Sequence, residues 1–322
     1  MAIISQRVDW KEINHVLGHS VITMGNFDGV HQGHACLLRH VAEEANRLKN
    51  TPDDKGPLII TFSPHPLKLF QPERKFILTP LEEKLACLRK LGFESILVIH
   101  FTREFANLSP EEFVRDIIYE KIRPQRIIIG HDFTFGKGGY GNFATLTELG
   151  QKYQFTVEKI EPYQNAGLVV SSSKIRRFLA QGDIATANQL LGRPYAMVGK
   201  VVEGRKRGRR LGFPTANLQP YGEVLMPRGV YATKTQIIEP LEDEPTLHLS
   251  VTNIGTNPTF QAHGEISVET YLEDFNMDIY GMDIRIEFFA LLRSEQKFSE
   301  VDALIQQMKK DVQMSHQLLT QR

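Results

Sequence analysis

The chain has 322 residues, 38 Lys+Arg against 38 Asp+Glu, 41% hydrophobic and 24% charged side chains, a globular composition with no net charge. That length exceeds one ordinary core, which stops growing near roughly 250–300 residues, and the balanced charge excludes a general polyanion binder. Two cysteines outside any Cys-x-x-Cys pair exclude a disulfide framework, and with no leader-like start and no membrane-length apolar run the expectation is a cytoplasmic protein without a membrane partner.

In chain order, short runs at 20–25, 58–62, 95–100, 126–130 and 154–160 predict strands, and the stretches 33–48, 79–91, 109–121 and 144–152 between them predict helices. Ser109 followed three residues later by Glu112 is a capping box opening the third of these helices. Alternating strand and helix predicts a doubly wound parallel sheet. Two short helices follow within 171–191, one entered through Ser171-Ser172-Ser173 and one after Gly182-Asp183. The pattern then turns to strands near 195–203, 229–238, 246–254, 265–273 and 282–290, with a final helix near 299–313. This predicts a closed or nearly closed β-barrel with a terminal helix, and a boundary near residue 186 dividing the chain into domains 1–185 and 186–322.

The first stretch suited to chemistry is His31-Gln32-Gly33-His34, just after the first strand and at the start of a helix, following Asn26. In a doubly wound sheet that is the favoured ligand crevice, and the helix N-terminus offers unpaired N–H groups to a phosphate. Two histidines three apart also suit a metal pair or an ordinary cap, but no third ligand of the His-Glu-x-x-His kind follows. Gly136-Lys137-Gly138-Gly139-Tyr140-Gly141 fits Gly-x-Gly-x-x-Gly, yet it trails its strand by several residues, so a mobile loop is expected rather than a dinucleotide fingerprint.

The second stretch runs from Gly204 through Gly208, Arg209 and Gly212 to Pro214-Thr215-Ala216-Asn217. Glycines let backbone N–H groups approach phosphate oxygens, cations offset the charge, and the Thr hydroxyl and Asn carbonyl are hard oxygen donors of the kind Mg²⁺ accepts. Alone, the basic run 205–210 would equally suit a solvated loop or a nucleic-acid patch. The adjoining Pro-Thr-Ala-Asn, the zero net charge and the lack of interleaved aromatics argue for a nucleotide site and no nucleic-acid partner.

Gly-x-x-x-Gly-x-x-Leu-Gly-Phe-Pro-Thr-Ala-Asn resembles the riboflavin kinase signature, in which the Thr and Asn hold the metal of Mg-ATP. His-x-Gly-His resembles the nucleotidyltransferase signature. With Thr61-Phe62-Ser63-Pro64-His65-Pro66, Gly130-His131-Asp132-Phe133-Thr134-Phe135-Gly136-Lys137 and Ser171-Ser172-Ser173-Lys174-Ile175-Arg176, it is similar to the flavin-adenylyltransferase half of prokaryotic bifunctional riboflavin kinase/FAD synthetases.

The resemblance spans about 20–313 and implies phosphorylation of riboflavin to FMN in the barrel, then adenylylation of FMN to FAD in the first domain, with ATP as donor and Mg²⁺ as cofactor. By residue it implies Glu269 as catalytic base, metal ligation by Thr215 and Asn217, and charge stabilisation by His31 and His34. Phosphate contacts fall to Asn26, Gly204, Gly208, Arg209, Gly212, Ser172, Ser173 and Arg176, and flavin contacts to Asp132, Arg293 and Glu295. No obligate protein partner is implied. Ser63, Gly139, Asn142 and Ser294 depart from the usual family residues, none of them at a position assigned to chemistry.

Overall fold

The computed structural model describes residues 7–13, 18–48, 54–204, 208, 211–238, 246–256 and 266–320. They pack into two compact units, Met1–Arg74 with Leu81–Ser171, and Lys75–Pro80 with Ser172–Arg322.

In the first unit, β1 (Arg7–Val8), β2 (Val21–Met24), α1 (Gln32–Leu48), β3 (Leu58–Ser63), α2 (Pro66–Phe70), α3 (Leu81–Lys90) and β4 (Ile96–His100) come first. They are followed by α4 (Arg103–Ala106), α5 (Pro110–Phe113), β5 (Arg126–Gly130), α6 (Phe143–Tyr153), β6 (Thr156–Ile160) and the short pair β7 (Gln164–Asn165) and β8 (Leu168–Val169). The six-stranded sheet has the order β1-β4-β3-β2-β5-β6 and all of its pairs are parallel. From β2 the chain steps one way to β3 and β4, then returns to β5 and β6 on the other side.

Right-handed crossovers force the helices of those two halves onto opposite faces. One face buries Val21, Ile59, Val98 and Ile128 under Leu37, Leu38 and Val41 of α1 and Leu85 and Leu88 of α3. The other buries Ile22, Ile60, Ile99 and Ile127 under Phe113, Ile117, Ile118 and Leu146. The expected capping box is present, with Ser109 and Glu112 exchanging side-chain-to-backbone bonds, but the helix it opens is α-helical only to Phe113 and π-helical over Val114–Ile122. The wider turn buries Val114, Ile117, Ile118 and Ile122 together.

In the second unit, α7 (Ser172–Gln181) and α8 (Ile184–Leu191) precede β9 (Tyr195–Val202), β10 (Thr215–Pro220), β11 (Gly229–Ile237), β12 (Leu247–Thr256), β13 (Ile266–Leu272), β14 (Asp283–Ser294) and α9 (Val301–Thr320). The strands close into an antiparallel barrel in the order β10-β13-β12-β11-β14-β9. Five strands were expected. The sixth, β10, is formed by the Pro-Thr-Ala-Asn segment itself, paired between β9 and β13. Inside, Thr233, Thr235, Ser250, Thr252 and Thr270 form a buried hydroxyl chain with links of 2.8 to 3.5 Å, so each hydroxyl is satisfied by its neighbours.

Helix α8 packs on β9 and β14, and its Asn188 donates to the Phe288 carbonyl at 2.8 Å while accepting the Tyr195 N–H at 2.7 Å. Thus α7 and α8 travel with the barrel by packing, although the sequence pattern changes only after them. A fragment starting at 186 loses the buried side chains of Ile175, Leu179 and Ile184, each worth about 1.5–3 kcal/mol. In denaturant titrations the fragment 172–322 is expected to exceed 186–322 in stability by roughly 4 kcal/mol or more. Equal midpoints would show that these helices give the barrel no support.

Candidate active sites

The reversal of strand order beside β2 leaves a crevice at the carboxyl ends of β2 and β5, where open α/β sheets bind ligands. The loop from Gly25 to His31 leaves β2 there. Phe27 and Val30 are buried in the core under α1, and both hold left-handed backbone, φ 48° and 40°, which is unfavourable for side chains of that bulk. The loop ends in His31, whose Nδ1 accepts the backbone N–H of His34 at 3.2 Å and so caps the first turn of α1. That bond leaves Nε2 as the ring atom that carries the proton.

The His31 and His34 rings stack with centroids 3.6 Å apart and planes 13° apart, and Phe27 meets His34 edge-on at 5.3 Å. Gly33 makes this possible, since a Cβ there would lie 3.2 Å from the His31 ring. Asp132 stands two residues beyond the end of β5 with its side chain exposed, and His131 lies 4.0 Å from its carboxylate. The glycine-rich loop does not open a helix. It is a turn closed by paired Phe135–Gly141 backbone bonds, and α6 starts only after Asn142, whose side chain accepts the Thr145 N–H as an N-cap.

Sequence reasoning missed Lys84. It sits on α3, 6% exposed, and its ammonium donates to Thr61 Oγ1 at 2.9 Å, the Asn26 carbonyl at 3.1 Å and the Phe62 carbonyl at 3.3 Å. Burial pushes its pKa down to about 8, against the attraction of Asp28. The available signal was its place in the buried stripe Lys84, Leu85, Leu88 of an amphipathic helix.

In the barrel, Asn217 of β10 is in register with Glu269 of β13, and Glu269 with Asn253 of β12. Directly opposed residues share a face, so carboxylate and carboxamides form one row outside the barrel, while Val268 and Thr270 point in. Thr215 lies two residues from Asn217 and therefore on the same face. The glycine-rich segment lies against both metal-ligand candidates. A Cβ on Gly204 would collide with the Asn217 carboxamide, and one on Gly208 would collide with the Phe213 carbonyl and reach 3.2 Å from Thr215 Oγ1. Two neutral oxygen donors beside a backbone cradle suit Mg²⁺ carried by a phosphate chain.

Gly212 holds left-handed backbone at φ 83°. Glu295 Oε1 and Asn253 Nδ2 both border Gly255, so Glu295 belongs to the Glu269 face. Arg293 instead turns its guanidinium to Asp311 of α9, with Nη2–Oδ2 at 2.8 Å and Nε–Oδ1 at 3.0 Å, and Gln307 also donates to that carboxylate. Ser172 and Ser173 begin α7 in the second unit, and Arg176 donates from Nε to the Phe76 carbonyl at 2.5 Å with its guanidinium over the Phe76 ring. Arg209, the basic residues 205–207 and Arg210, and the segment 257–260 lie outside the described residues.

A family model described as FAD synthetase matches residues 13–174, and one described as riboflavin kinase matches 191–319. A bifunctional riboflavin kinase/FMN adenylyltransferase of Listeria monocytogenes is 36% identical over 310 residues, covering 95% of this chain and 92% of its own. The protein of that description from Escherichia coli is 37% identical over 292 residues, with 90% of each chain covered. A Streptococcus pneumoniae crystal structure described as a macrolide-efflux protein superposes with a TM-score of 0.82 at 30% identity, covering 98% of this chain and 99% of that one. Among the described residues no helix is long and apolar enough to cross a membrane.

The depressed Lys84 pKa carries a stability signature. Between about pH 8 and 10.5 the folded chain has released this proton while the unfolded chain still binds it, so stability rises with pH through that window. The full effect is about 3 kcal/mol, present above pH 10.5 and absent below about 8. Subtracting the unfolding free energy of Lys84→Met from that of the unsubstituted chain at each pH should reveal this rise. A difference that is flat with pH would mean that the ammonium is not desolvated.

Proposed function

The chain belongs to the bifunctional riboflavin kinase/FMN adenylyltransferase family, which phosphorylates riboflavin to FMN and joins FMN to AMP from ATP, and from that premise we propose how its residues divide the chemistry. Riboflavin phosphorylation is assigned to domain 186–322 and adenylyl transfer to domain 1–185, with α7 and α8 packed on the barrel. The observation that carries the kinase reading is the row Asn217, Glu269, Asn253 beside the cradle of Gly204 and Gly208.

In this reading Glu269 takes the proton of the ribityl hydroxyl as that oxygen attacks the γ-phosphorus of ATP, and ADP leaves. Thr215 and Asn217 would hold Mg²⁺, which when bound offsets charge on the phosphate oxygens. Gly204, Gly208, Gly212 and Arg209 serve the phosphate chain. Glu295 lines the flavin side of the Glu269 face, and Arg293, through Asp311, holds α9 to the barrel there.

Adenylyl transfer makes a different demand. The attacking FMN phosphate oxygen is already anionic, so no base is required, and the α-phosphorus needs positioning and charge stabilisation while pyrophosphate departs. His31, His34 and Asn26 at the β2 end supply these, with Asp132 on the flavin. Ser172, Ser173 and Arg176 keep a phosphate-binding role that rests on the family resemblance alone. The partners on this reading are the small molecules riboflavin, FMN and ATP. A reaction consuming two ATP per FAD belongs in the cytoplasm, where ATP is made.

Two sets of substitutions test the division. Glu269→Gln keeps size and hydrogen-bonding capacity but removes the basic oxygen, so FMN formation should fall by roughly 10²–10⁴-fold while FAD formation from added FMN persists. His34→Ala should do the reverse, lowering FAD formation by roughly 10²-fold and sparing the kinase step. Chromatographic product assays read both. A folded variant that loses both reactions, or neither, contradicts the assignment.

A further inference from the structure

We infer that Lys84 is a positioning residue for adenylyl transfer: its ammonium fixes the Asn26 carbonyl to the end of β3, and so fixes the loop that leads into His31 and His34. The inference rests on the adenylyl-transfer reading of this crevice.

Donor and acceptor numbers match. An ammonium has three N–H donors and no acceptor, and three oxygens receive them: Thr61 Oγ1, the Asn26 carbonyl and the Phe62 carbonyl. Thr61 is itself fully buried and donates to the Asn26 carbonyl at 3.3 Å, so the three residues form a closed triangle. A neutral amine has two N–H groups, so deprotonation removes one of the three Lys84 bonds and the strengthening that charge gives the other two.

The fold alone does not need a cation here. Lysine is almost never fully buried, the adjacent stripe of α3 is supplied by Leu85 and Leu88, and a methionine would occupy the same stem volume without desolvating a charge. What the ammonium holds is a loop that resists its own geometry. Phe27 and Val30 each sit in a left-handed conformation that costs about 1–3 kcal/mol and persists only where the surroundings over-determine it. The Asn26 carbonyl immediately precedes this strained stretch, and His31, which caps α1 and stacks on His34, ends it.

Of the elements around Lys84, β2 and β3 bring no titratable side chain, and β4, one strand further, ends in His100. The loop brings Asp28 and His31, α1 brings His34, and α3 itself brings Glu83 and Cys87. The attraction that acts on the ammonium is that of Asp28.

The test uses the full chain and Lys84→Met, measuring kcat for FAD formation from added FMN and ATP across about pH 7 to 9.5, with FMN formation from riboflavin on the same samples as the measure of intact enzyme. The expected ratio of unsubstituted to Lys84→Met kcat is roughly 10–100 at neutral pH and shrinks toward one as pH rises past about 8, where both chains lack the charge. A purely structural contribution would leave that ratio constant with pH. A ratio near one at pH 7, or the same ratio at both ends of the range, overturns the inference. If Lys84→Met does not fold, Lys84→Gln, neutral and polar, is put through the same comparison with the same two readings. An unsubstituted chain that makes no FAD at any pH would instead overturn the adenylyl-transfer reading, and this inference with it.

Discussion

Asn217 faces Glu269 and Glu269 faces Asn253 across three neighbouring strands, and the chemistry of the barrel depends on that register being held. Because side chains alternate with period two, a slip of one residue in β13 would carry Glu269 into the barrel and expose Val268 and Thr270. The buried hydroxyl chain opposes such a slip, since Thr270 reaches its partners Thr252 and Thr235 only from the inward face. A polar interior therefore helps to specify a polar exterior. Outside, Gly204 and Gly208 are tied to the same register, because the places their Cβ atoms would take are filled by the Asn217 carboxamide and the Phe213 carbonyl.

The first unit solves its positioning problem differently. Its crevice follows from topology, since β2 is central and its successor strands leave on both sides, but its candidate residues come from a loop and the first turn of α1 rather than from a strand. Such a loop needs external restraint. Burial of Phe27 and Val30 provides part of it, the His31 cap on α1 another part, and the three bonds of Lys84 a third. Backbone strain and a desolvated cation in one small region are costs that a fold built only for stability would avoid.

The parts of this architecture legible in the sequence were those with local causes. The runs 58–62 and 126–130 are apolar and β-branched, because strands covered on both faces need no alternation, and they appear as β3 and β5. The caps at Ser109 and Asp183 follow from backbone chemistry at helix ends. What was not legible depended on distant partners. Two-residue β1 is a strand only because β4 offers it an edge, and β10 reads as a ligand loop until β9 and β13 close around it. Asn142 departs from the usual family residue, and its part as the cap of α6 shows only once that helix is placed. The ion pair of Arg293 was not legible either, because its carboxylate partner Asp311 lies on a helix 18 residues further on. Lys84 was hidden because lysine in an amphipathic helix is normally at the surface.

The central claim is that two units of one chain carry out two chemically distinct ATP reactions in sequence, the first breaking the β–γ linkage of ATP and the second the α–β linkage. The nucleotide balance distinguishes them most directly. With riboflavin, excess ATP and Mg²⁺, the account requires one ADP for every riboflavin consumed and one pyrophosphate for every FAD formed, with FMN appearing before FAD. ADP and FMN without pyrophosphate would mean that the first unit does not transfer adenylyl groups, and pyrophosphate with FAD only when FMN is supplied would mean that the barrel is not a kinase.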